Sequence, residues 1–304
     1  MLGMIEEFIP LANEKNISLI PVKVTQTLSE EELIDLLPRF DGWIIGDDPA
    51  TRSVFESGKA GGLKAAVKWG IGVDNVDFEA CKDLKIPISN TPNLFGAEVA
   101  DIALGYLIGL ARQTFLIDRE IRFKGIWPKP AGMSLAGKKV GIIGLGDIGR
   151  NLAKRLIACD MLIIGYDPAL SEGEVAGIQI SNWPNNVDEL DFLVFTCSLN
   201  SQNRHMLNAE VLENCANGVY IINVARGPLI DEVALTNSLI SGKVAGAALD
   251  VFEEEPLSTN SKLRKIETCI FGSHNGSNTF DAVRRASLAA ITIMENFLFN
   301  YEGR

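Results

Sequence analysis

The sequence has few of the residues on which several classes of protein depend. Its 304 residues include only two histidines and five cysteines, and no two cysteines form a CxxC pair. An odd number of widely spaced cysteines argues against a disulfide framework and against a zinc site, and it is typical of proteins of the reducing cytoplasm. We expect no bound metal, and any imidazole chemistry must use His205 or His274.

Positive charge is also scarce. Lysine and arginine number 28 against 39 aspartates and glutamates, which gives a formal net charge of −11. A chain this acidic gains nothing from releasing the counterions of phosphates, so we expect no nucleic-acid partner.

Long apolar runs are missing as well. The most apolar stretch, residues 99–111, contains Asp101 and is shorter than the roughly 20 residues that span a membrane. Residues 1–15 carry acids where a signal peptide has basic residues. We therefore expect no membrane partner and a cytoplasmic location.

Short apolar segments alternate with segments of helical periodicity along almost the whole chain, which predicts a parallel α/β fold. Strands are predicted at residues 17–23, 42–46, 63–70, 86–90, 140–146, 161–167, 191–197, 219–225 and 244–251. Helices are predicted at residues 29–38, 76–85, 97–123, 147–158, 209–216, 231–242 and 279–299.

Residues 144–149 read Gly-Leu-Gly-Asp-Ile-Gly, a GxGxxG pattern that follows a predicted strand and opens a helix. In a dinucleotide site the first glycine makes a tight turn, the second admits the pyrophosphate, and the third lets helix and strand approach. Asp167 ends the next strand, where its carboxylate would accept hydrogen bonds from the adenosine ribose and repel a 2′-phosphate. The alternative is an ordinary glycine turn beside a solvated aspartate. The residues expected to bind NAD here are Gly144, Gly146, Asp147, Ile148, Gly149 and Asp167.

Seven motifs occur in an order that a known family shares. They are GVDNVD (72–77), NTP (90–92), LAR (110–112), GIIGLGDIGR (141–150), INVARGPLIDEVAL (222–235), AALDVFEEEP (247–256) and the segment around His274. Across essentially the whole chain the sequence resembles the D-isomer-specific 2-hydroxyacid dehydrogenases, and most of all their phosphoglycerate dehydrogenase branch.

The resemblance implies two α/β domains with parallel sheets, one Rossmann-like and one flavodoxin-like. Residues 1–92 and 279–304 would form the flavodoxin-like substrate domain, and residues 93–278 would form an NAD-binding Rossmann domain inserted into it. The resemblance also implies a homodimer that uses the helix near residues 97–123.

The resemblance assigns the catalytic residues. It matches Arg226 to the arginine that binds the substrate, His274 to the catalytic histidine, and Glu255 to the glutamate that pairs with this histidine. Spacing alone leaves Glu253 and Glu254 as alternatives to Glu255. Without the resemblance, two alternatives stay open: Arg226 could cap a strand end in solvent, and His274 could be an ordinary surface histidine.

Further contacts with the cofactor and the substrate are implied in the same way. Those with NAD are Cys197, Val224, Ala225, Arg226, Asp250, His274 and Gly276, and those with the substrate are Lys68, Ile71, Gly72, Arg226 and His274. The backbone amides of Ile71 and Gly72 correspond to those that hold the substrate carboxylate. The Pro-Leu-Thr that often follows the strand at 191–197 is Ser-Leu-Asn here, a change expected to affect cofactor affinity rather than the chemistry.

The chemistry of these residue types agrees with the reaction that the resemblance implies. Interconversion of a 2-hydroxy acid and its 2-keto acid needs a hydride, which a nicotinamide cofactor carries, together with a proton donor and a cation for the carboxylate. Histidine titrates near neutral pH, and arginine offers a planar fork to a carboxylate. Two alternatives stay open: a nucleotide-sensing adaptor like the family's corepressor branch, and the same fold acting on formate or phosphite.

The substrate expected by analogy with phosphoglycerate dehydrogenases fits the sequence poorly. The segment expected to meet a substrate phosphate carries Asp47 and Asp48, which would repel it. Lys68 lies just before the GVD loop, whereas Arg52 is predicted to lie in the following helix. We therefore expect a 2-hydroxy or 2-keto acid substrate for which 3-phosphoglycerate is only one candidate.

The N-terminus also departs from the family. Members begin with a strand before the first helix, whereas the residues after Met4 begin as a helix at once. Loss of a central strand would leave backbone groups unpaired. We expect that the native start lies upstream of Met1 or that another segment occupies the place of this strand.

Overall fold

The computed structural model describes residues 1–24 and 27–300. The chain divides into two compact units, one made of Met1–Phe95 with Asn278–Arg304 and one made of Gly96–Ser277. We refer to these as the terminal unit and the central unit. The assignment of the terminal unit to substrate binding stays a prediction, and residues 301–304 of the predicted substrate domain lie outside the described residues.

Both units consist of strands joined by helices, as the alternating sequence pattern predicts. The strands are β1 Gly42–Ile45, β2 Ala65–Lys68, β3 Ile88–Asn90, β4 Lys139–Ile143, β5 Leu162–Tyr166, β6 Gly173–Val175, β7 Ile178–Ile180, β8 Phe192–Phe195, β9 Val219–Asn223, β10 Val244–Leu249 and β11 Cys269–Phe271. The α-helices are α1 Ile5–Asn13, α2 Glu30–Leu36, α3 Arg52–Gly61, α4 Phe78–Asp83, α5 Gly96–Arg112, α6 Thr114–Arg119, α7 Asp147–Ile157, α8 Ala209–Asn214, α9 Glu232–Ser241 and α10 Phe280–Phe299.

The terminal unit has a parallel three-stranded sheet in the order β1-β2-β3. Side chains alternate along β2, so Ala66 packs with Leu33 and Phe55 on one face. Val67 packs on the other face with Phe8 of α1 and residues of α10. Helices cover both faces, which is the arrangement that a parallel sheet needs to bury its apolar strands.

The strand predicted at residues 17–23 is wrong, because this segment forms no strand. Ile17 is buried and Leu19 packs beside it in the core with α1 and α10. The alternation of apolar residues in this segment therefore reflects burial of side chains and not backbone pairing in a sheet. Ile20 is 61% exposed, and Pro21 has no N–H to give to a ladder. Described residues 1–24 thus contribute α1 but no strand, and the prediction about the native start stays a prediction.

The central unit has an eight-stranded sheet in the order β11-β10-β9-β8-β4-β5-β7-β6. All neighbours are parallel except the β6–β7 pair. The chain leaves β4 toward β5 on one side and returns to β8 on the other side. The order therefore reverses between β4 and β8, and ligands of doubly wound sheets bind at the carboxyl ends of strands flanking such a point.

The helix predicted over residues 97–123 is continuous only as far as Arg112. Gln113 adopts a left-handed conformation with φ of 54°, and α6 and a π-helical turn, Glu120–Lys124, follow the break. The bend brings the Phe115 ring against Gly109, where an added Cβ would lie 2.6 Å from the ring. The same Cβ would lie 3.1 Å from Ile270 of β11, and helical periodicity reports neither contact.

A membrane-spanning helix must be both long and apolar. No single helix in the described part of the chain meets both criteria, and only the bent pair Gly96–Arg112 and Thr114–Lys124 meets them jointly, by length and composition.

Three short strands were not predicted. β6 and β7 form a hairpin around Ala176 and Gly177, whose φ values of 53° and 79° are those of a tight two-residue turn. β11 has only three residues at the sheet edge beside β10. Strands this short carry too few residues for a period of two to be recognised.

Candidate active site

The central sheet brings the predicted NAD-binding and catalytic residues to one edge. The residues follow β4 (Gly144–Gly149), β5 (Asp167), β8 (Cys197), β9 (Val224, Ala225, Arg226), β10 (Asp250, Glu255) and β11 (His274, Gly276). Because these strands are parallel, every one of these loops leaves the same edge of the sheet.

The glycine turn after β4 is sterically required. Gly144 has φ of 96°, and a Cβ there would lie 2.7 Å from the backbone of Cys197. A Cβ on Gly149 would lie 2.0 Å from the Gly144 carbonyl oxygen, so only glycine lets α7 approach the strand so closely. The Thr196 hydroxyl donates to the Gly144 carbonyl at 2.7 Å and fixes the turn, a role that the sequence did not suggest.

The second glycine leaves space where a pyrophosphate would approach. A Cβ on Gly146 would meet no atom within 4 Å. Gly146 is also the N-cap of α7, and no side chain caps this helix. The first-turn amides, including those of Asp147 and Ile148, therefore point to the open side with the positive end of the helix dipole. These residues fit a dinucleotide phosphate.

Asp167 is held in place at the end of β5. Its Oδ2 accepts a hydrogen bond from the Leu145 amide at 2.8 Å, and its Oδ1 accepts one from the Ala169 amide at 3.0 Å. A carboxylate has about four acceptor positions, so the group can still accept from ribose hydroxyls. Asp167 thus ties the glycine turn to β5 in addition to its predicted role.

Arg226 lies in a turn that neighbouring residues constrain. The buried Asn223 side chain donates to the Arg226 carbonyl at 2.9 Å and accepts from the Ala225 amide at 3.0 Å. A Cβ on Gly227 would lie 1.8 Å from the Phe252 carbonyl oxygen, so the turn after β9 packs directly on the loop after β10. Asn223 was missed by the sequence analysis, although a polar residue that ends an apolar strand is a usable signal.

The side chains of His274 and Glu255 are in direct contact. The imidazole Nδ1 lies 2.7 Å from Glu255 Oε2, and Oε1 of the same carboxylate accepts from the Phe252 amide at 2.9 Å. Glu253, one of the two alternatives, instead accepts from the Glu232 amide at 2.9 Å. Among the three consecutive acids it is therefore Glu255 that contacts His274. Because Glu255 contacts Nδ1, Nε2 is the candidate ring nitrogen for proton transfer.

The other histidine lies elsewhere in the central unit. His205 Nε2 is 3.0 Å from Glu253 Oε1, and the His205 amide donates to the Pro228 carbonyl at 2.8 Å. These contacts link the loop after β8 to the loops after β9 and β10. Glu253 also contacts Glu232, whose amide donates to the same oxygen. Burial, reinforced by the charge of Glu253, raises the pKa of the Glu232 carboxyl.

Asp250 is buried behind the His274 loop. Its carboxylate accepts from the Gly276 amide at 2.8 Å, from the Asn275 amide at 3.3 Å, and from the Tyr106 hydroxyl at 3.2 Å. With two of its three donors in the His274 loop, the Asp250 carboxylate holds this loop in place. The sequence placed Asp250 in the site but gave no sign of Tyr106.

Cys197, Val224 and Ala225 line the same edge of the sheet. Val224 and Ala225 are buried, so their contribution to a ligand site is apolar. Burial raises the pKa of the half-buried Cys197 thiol to about 12. A thiol of such high pKa stays protonated at neutral pH and is a poor nucleophile.

The predicted substrate residues of the terminal unit lie on and beside the loop after β2. Asn90 donates to the Ile71 carbonyl at 3.2 Å, and Thr91 accepts from the Gly70 amide at 2.8 Å. Among the residues that the structure describes, the amides of Ile71 and Gly72 have no acceptor. Two such amides on an exposed loop can bind a carboxylate.

Lys68 differs from the expected exposed cation. Its side chain is only 3% exposed and lies 3.2 Å from Asp47 Oδ1, and it also donates to the Gly46 carbonyl. The ammonium charge is therefore compensated inside the terminal unit, and Lys68 is poorly placed to reach a ligand. Arg52 begins α3 as predicted and pairs with Asp83 at 2.9 Å.

A doubly wound parallel sheet with a GxGxxG turn, an acid after the second strand and a histidine–carboxylate pair defines a class, the nicotinamide-dependent dehydrogenases. Comparison with known proteins identifies the family within this class. The family described as "D-isomer specific 2-hydroxyacid dehydrogenase, NAD binding domain" matches residues 104–276. The chain belongs to the D-isomer specific 2-hydroxyacid dehydrogenases.

Relatives of known activity or structure agree. A hydroxypyruvate reductase of Thermotoga maritima is 35% identical over 88% of both chains. A D-3-phosphoglycerate dehydrogenase of Methanocaldococcus jannaschii is 36% identical over 87% of this chain but only 51% of its own length, so the chain spans about half of that relative. The structure of the TT0316 protein from Thermus thermophilus superimposes with a TM-score of 0.89 at 26% identity and covers 97% of this chain and 94% of that one.

These similarities confirm the predicted family, fold class, cofactor and enzyme class. The chain is an NAD-dependent oxidoreductase that interconverts a D-2-hydroxy acid and its 2-keto acid. The adaptor reading and the formate or phosphite reading are not favoured.

Proposed function

We propose that this enzyme reduces a small, unphosphorylated 2-keto acid and that Arg226, Glu255 and His274 form its catalytic set. The observation that carries this proposal is the 2.7 Å contact between His274 Nδ1 and Glu255 Oε2 on an NAD-binding domain of this family. A histidine whose Nδ1 is paired with a carboxylate can present a protonated Nε2 to a ketone oxygen.

Proton transfer belongs to the histidine–glutamate pair. In the direction of reduction, the His274 imidazolium donates its Nε2 proton to the carbonyl oxygen as the alcohol forms. Glu255 stabilises the imidazolium by charge and keeps the ring oriented through its bond to Nδ1. In the direction of oxidation the neutral imidazole accepts the same proton.

Each unit offers its own candidate donors for an anion, which the family resemblance assigns to the substrate. The Arg226 guanidinium provides a planar fork for the keto-acid edge, which combines charge with orientation. The backbone amides of Ile71 and Gly72 provide two further donors for the substrate carboxylate. Neither interaction requires a metal ligand.

The residues that would hold NAD are those around the glycine turn. Gly144, Gly146 and the first-turn amides of α7 suit the pyrophosphate, and Asp167 suits the adenosine ribose. When bound, the reduced cofactor supplies the hydride. The apolar Val224 and Ala225 would exclude water beside it.

The charged residues of the terminal unit favour the proposal that the substrate is unphosphorylated. The turn after β1 carries Asp47 and Asp48. The Nζ atom of the buried Lys68 lies 3.2 Å from Asp47 Oδ1, so its positive charge is compensated by this carboxylate. Asn75 fastens this turn to the loop after β2, because its side-chain amide donates to the carbonyls of Gly46 (3.1 Å) and Asp48 (2.7 Å). A phosphate dianion beside this turn would meet carboxylates rather than free cations. The Thermotoga maritima relative, named a hydroxypyruvate reductase, supports the same substrate class.

Competitive turnover tests the substrate class. We expect a higher kcat/KM for hydroxypyruvate or glyoxylate than for 3-phosphohydroxypyruvate. The Asp47→Asn variant should raise the relative kcat/KM for the phosphorylated compound by roughly fivefold, because a like charge is removed. The control is Asp41→Asn, which removes a carboxylate at the opposite end of β1 and should leave this ratio unchanged. A strong preference for the phosphorylated compound that is lost in Lys68→Ala would overturn this assignment.

A homodimer and a cytoplasmic location complete the proposal. Phe123 and Trp127, which follow α6, are 81% and 77% exposed, and apolar side chains this exposed are typical of surfaces that a partner covers. A second copy of this chain is the proposed occupant, as the family resemblance implies. Five free cysteines agree with a reducing compartment.

A further inference from the structure

Tyr106 of α5 is a buried phenol whose hydroxyl meets a buried carboxylate. The residue is 8% exposed, and Asp250 at the end of β10 is 2% exposed. The hydroxyl donates to Asp250 Oδ1 at 3.2 Å across 144 residues of sequence. A core tyrosine needs a partner for its hydroxyl, but a carboxylate is a costly one, because a charge must be buried with it.

Asp250 in turn holds the turn that presents His274. The His274 amide donates to the Asp250 backbone carbonyl at 2.6 Å. The amides of Asn275 and Gly276 donate to Oδ1 at 3.3 Å and to Oδ2 at 2.8 Å. Three consecutive amides of the His274 segment therefore end on one residue.

The turn needs this support because it is strained. His274 has φ of 54°, in the left-handed region that non-glycine residues enter only at an energetic cost. A conformation of this kind persists only where surrounding contacts enforce it. The hydrogen bonds from the turn to Asp250 are such contacts.

The neighbouring backbone leaves room for the Tyr106–Asp250 contact. An added Cβ on Gly272 would lie 2.0 Å from Asp250 Oδ1 and 2.3 Å from the Tyr106 hydroxyl. No side chain fits at this position without displacing one of the two groups. The segment between β11 and the histidine is thus shaped around the hydrogen bond.

We propose that Tyr106 is a positioning residue for His274 and acts through Asp250. Its hydroxyl fixes one carboxylate oxygen, the carboxylate fixes the amides of residues 275 and 276, and the turn then directs the imidazole toward Glu255. The role assigned to the imidazole rests on the proposed function, whereas the positioning itself does not.

The phenol is suited to remain a donor. Burial, together with the charge of Asp250, raises the pKa of Tyr106 well above its usual value. The hydroxyl therefore stays protonated at and well above neutral pH. A donor that does not titrate there holds the turn equally well at any such pH.

The two histidines of the chain allow a direct test that needs neither substrate nor cofactor. Protein labelled with 13C at histidine Cε1 should give two resonances, assigned with His205→Gln and His274→Gln variants. The Tyr106→Phe variant removes the hydroxyl and keeps the ring. We expect it to move or broaden the His274 resonance and to leave that of His205 unchanged.

Tyr220→Phe is the matched control. Tyr220 is a partly buried tyrosine of the same unit whose ring stacks on Phe192 at 5.3 Å, at the start of β9 and so at the opposite edge of the sheet. This variant should leave both histidine resonances in place. If Tyr106→Phe lowers thermal stability but does not move the His274 resonance, the tyrosine only packs in the core and the proposal is wrong.

Kinetics provide a second readout. With a 2-keto acid that the enzyme reduces, Tyr106→Phe should lower kcat by about tenfold while the KM for the keto acid changes little, because misplacement of the acid affects proton transfer more than anion binding. An unchanged kcat together with an unmoved resonance would refute the inference. If no 2-keto acid is reduced but the resonance moves, the proposed function fails and the positioning role stands.

Discussion

At the scale of single residues, we propose that the carboxylate of Glu255 prepares the imidazole of His274 for acid catalysis. Three consecutive acids, Glu253, Glu254 and Glu255, precede Pro256, and spacing alone does not choose among them. In the folded chain Glu255 reaches Nδ1 at 2.7 Å, while Glu253 is engaged by the Glu232 amide. The chemistry is therefore decided by which carboxylate the backbone turn directs inward.

Replacement of Glu255 by glutamine should shift the pH dependence of reduction. Reduction uses the imidazolium, and the Glu255 carboxylate stabilises this charged form. Without it the imidazolium loses its proton at lower pH, so kcat for reduction should decline at a lower pH than in the wild type. Oxidation, which uses the neutral imidazole, should extend to lower pH. The measurement is kcat against pH in both directions.

The neighbouring acid offers the control for this experiment. Glu254→Gln removes the same charge one residue earlier and should leave both profiles in place. Identical profiles for Glu255→Gln and the wild type would show that the pair does not set the protonation of His274.

At the scale of elements, we expect β5 to set the cofactor preference through Asp167, the residue that follows it. Asp167 closes the glycine turn through the Leu145 amide and keeps acceptor capacity for ribose hydroxyls. A 2′-phosphate would meet its negative charge.

The enzyme should prefer NADH to NADPH by at least about tenfold in kcat/KM, and Asp167→Asn should reduce this preference. Asp160→Asn, which removes an acid from the turn before β5, should leave the ratio unchanged. A wild-type preference for NADPH would contradict the role of Asp167.

The break between α5 and α6 is the second feature at this scale. It turns the chain so that α5 stays in the core while Phe123 and Trp127 remain largely exposed. An apolar surface of this kind is unfavourable in water unless it is covered.

A single charge on this surface should separate the proposed dimer. We expect light scattering after size exclusion to give twice the mass of one chain for the wild type and the mass of one chain for Phe123→Asp. Val233→Asp, which places the same charge on exposed α9, should remain dimeric. A wild type that runs as a monomer at all concentrations would exclude the proposed interface.

For the whole molecule, local signals in the sequence predicted most of the fold. Ser29 and Glu32 form the capping box that begins α2, and the apolar runs of the central unit became its parallel strands. The family, the cofactor and the reaction class followed from motifs that lie in loops at the ends of those strands.

The errors share a physical cause, since each depends on tertiary packing that the local sequence pattern does not contain. Residues 17–23 are buried without pairing, and the helix break at Gln113 accompanies the packing of Phe115 on Gly109. The Tyr106–Asp250 hydrogen bond spans 144 residues. In the same way, the sequence shows only that Lys68 follows an apolar run. It does not show that Asp47 compensates the charge of this lysine. Local periodicity reports which face of an element is buried but not what covers that face.

The central claim is that this chain reduces a 2-keto acid to a D-2-hydroxy acid with NADH by means of His274. The most direct measurement follows NADH oxidation by the purified protein across a panel of 2-keto acids that includes hydroxypyruvate and glyoxylate, with chiral analysis of each chiral product. We predict turnover of at least one of these compounds, the D isomer as product, and a kcat at least about a hundredfold lower for His274→Gln but unchanged for His205→Gln. Absence of turnover in a protein that binds NADH, or a His274→Gln variant as active as the wild type, would contradict the account.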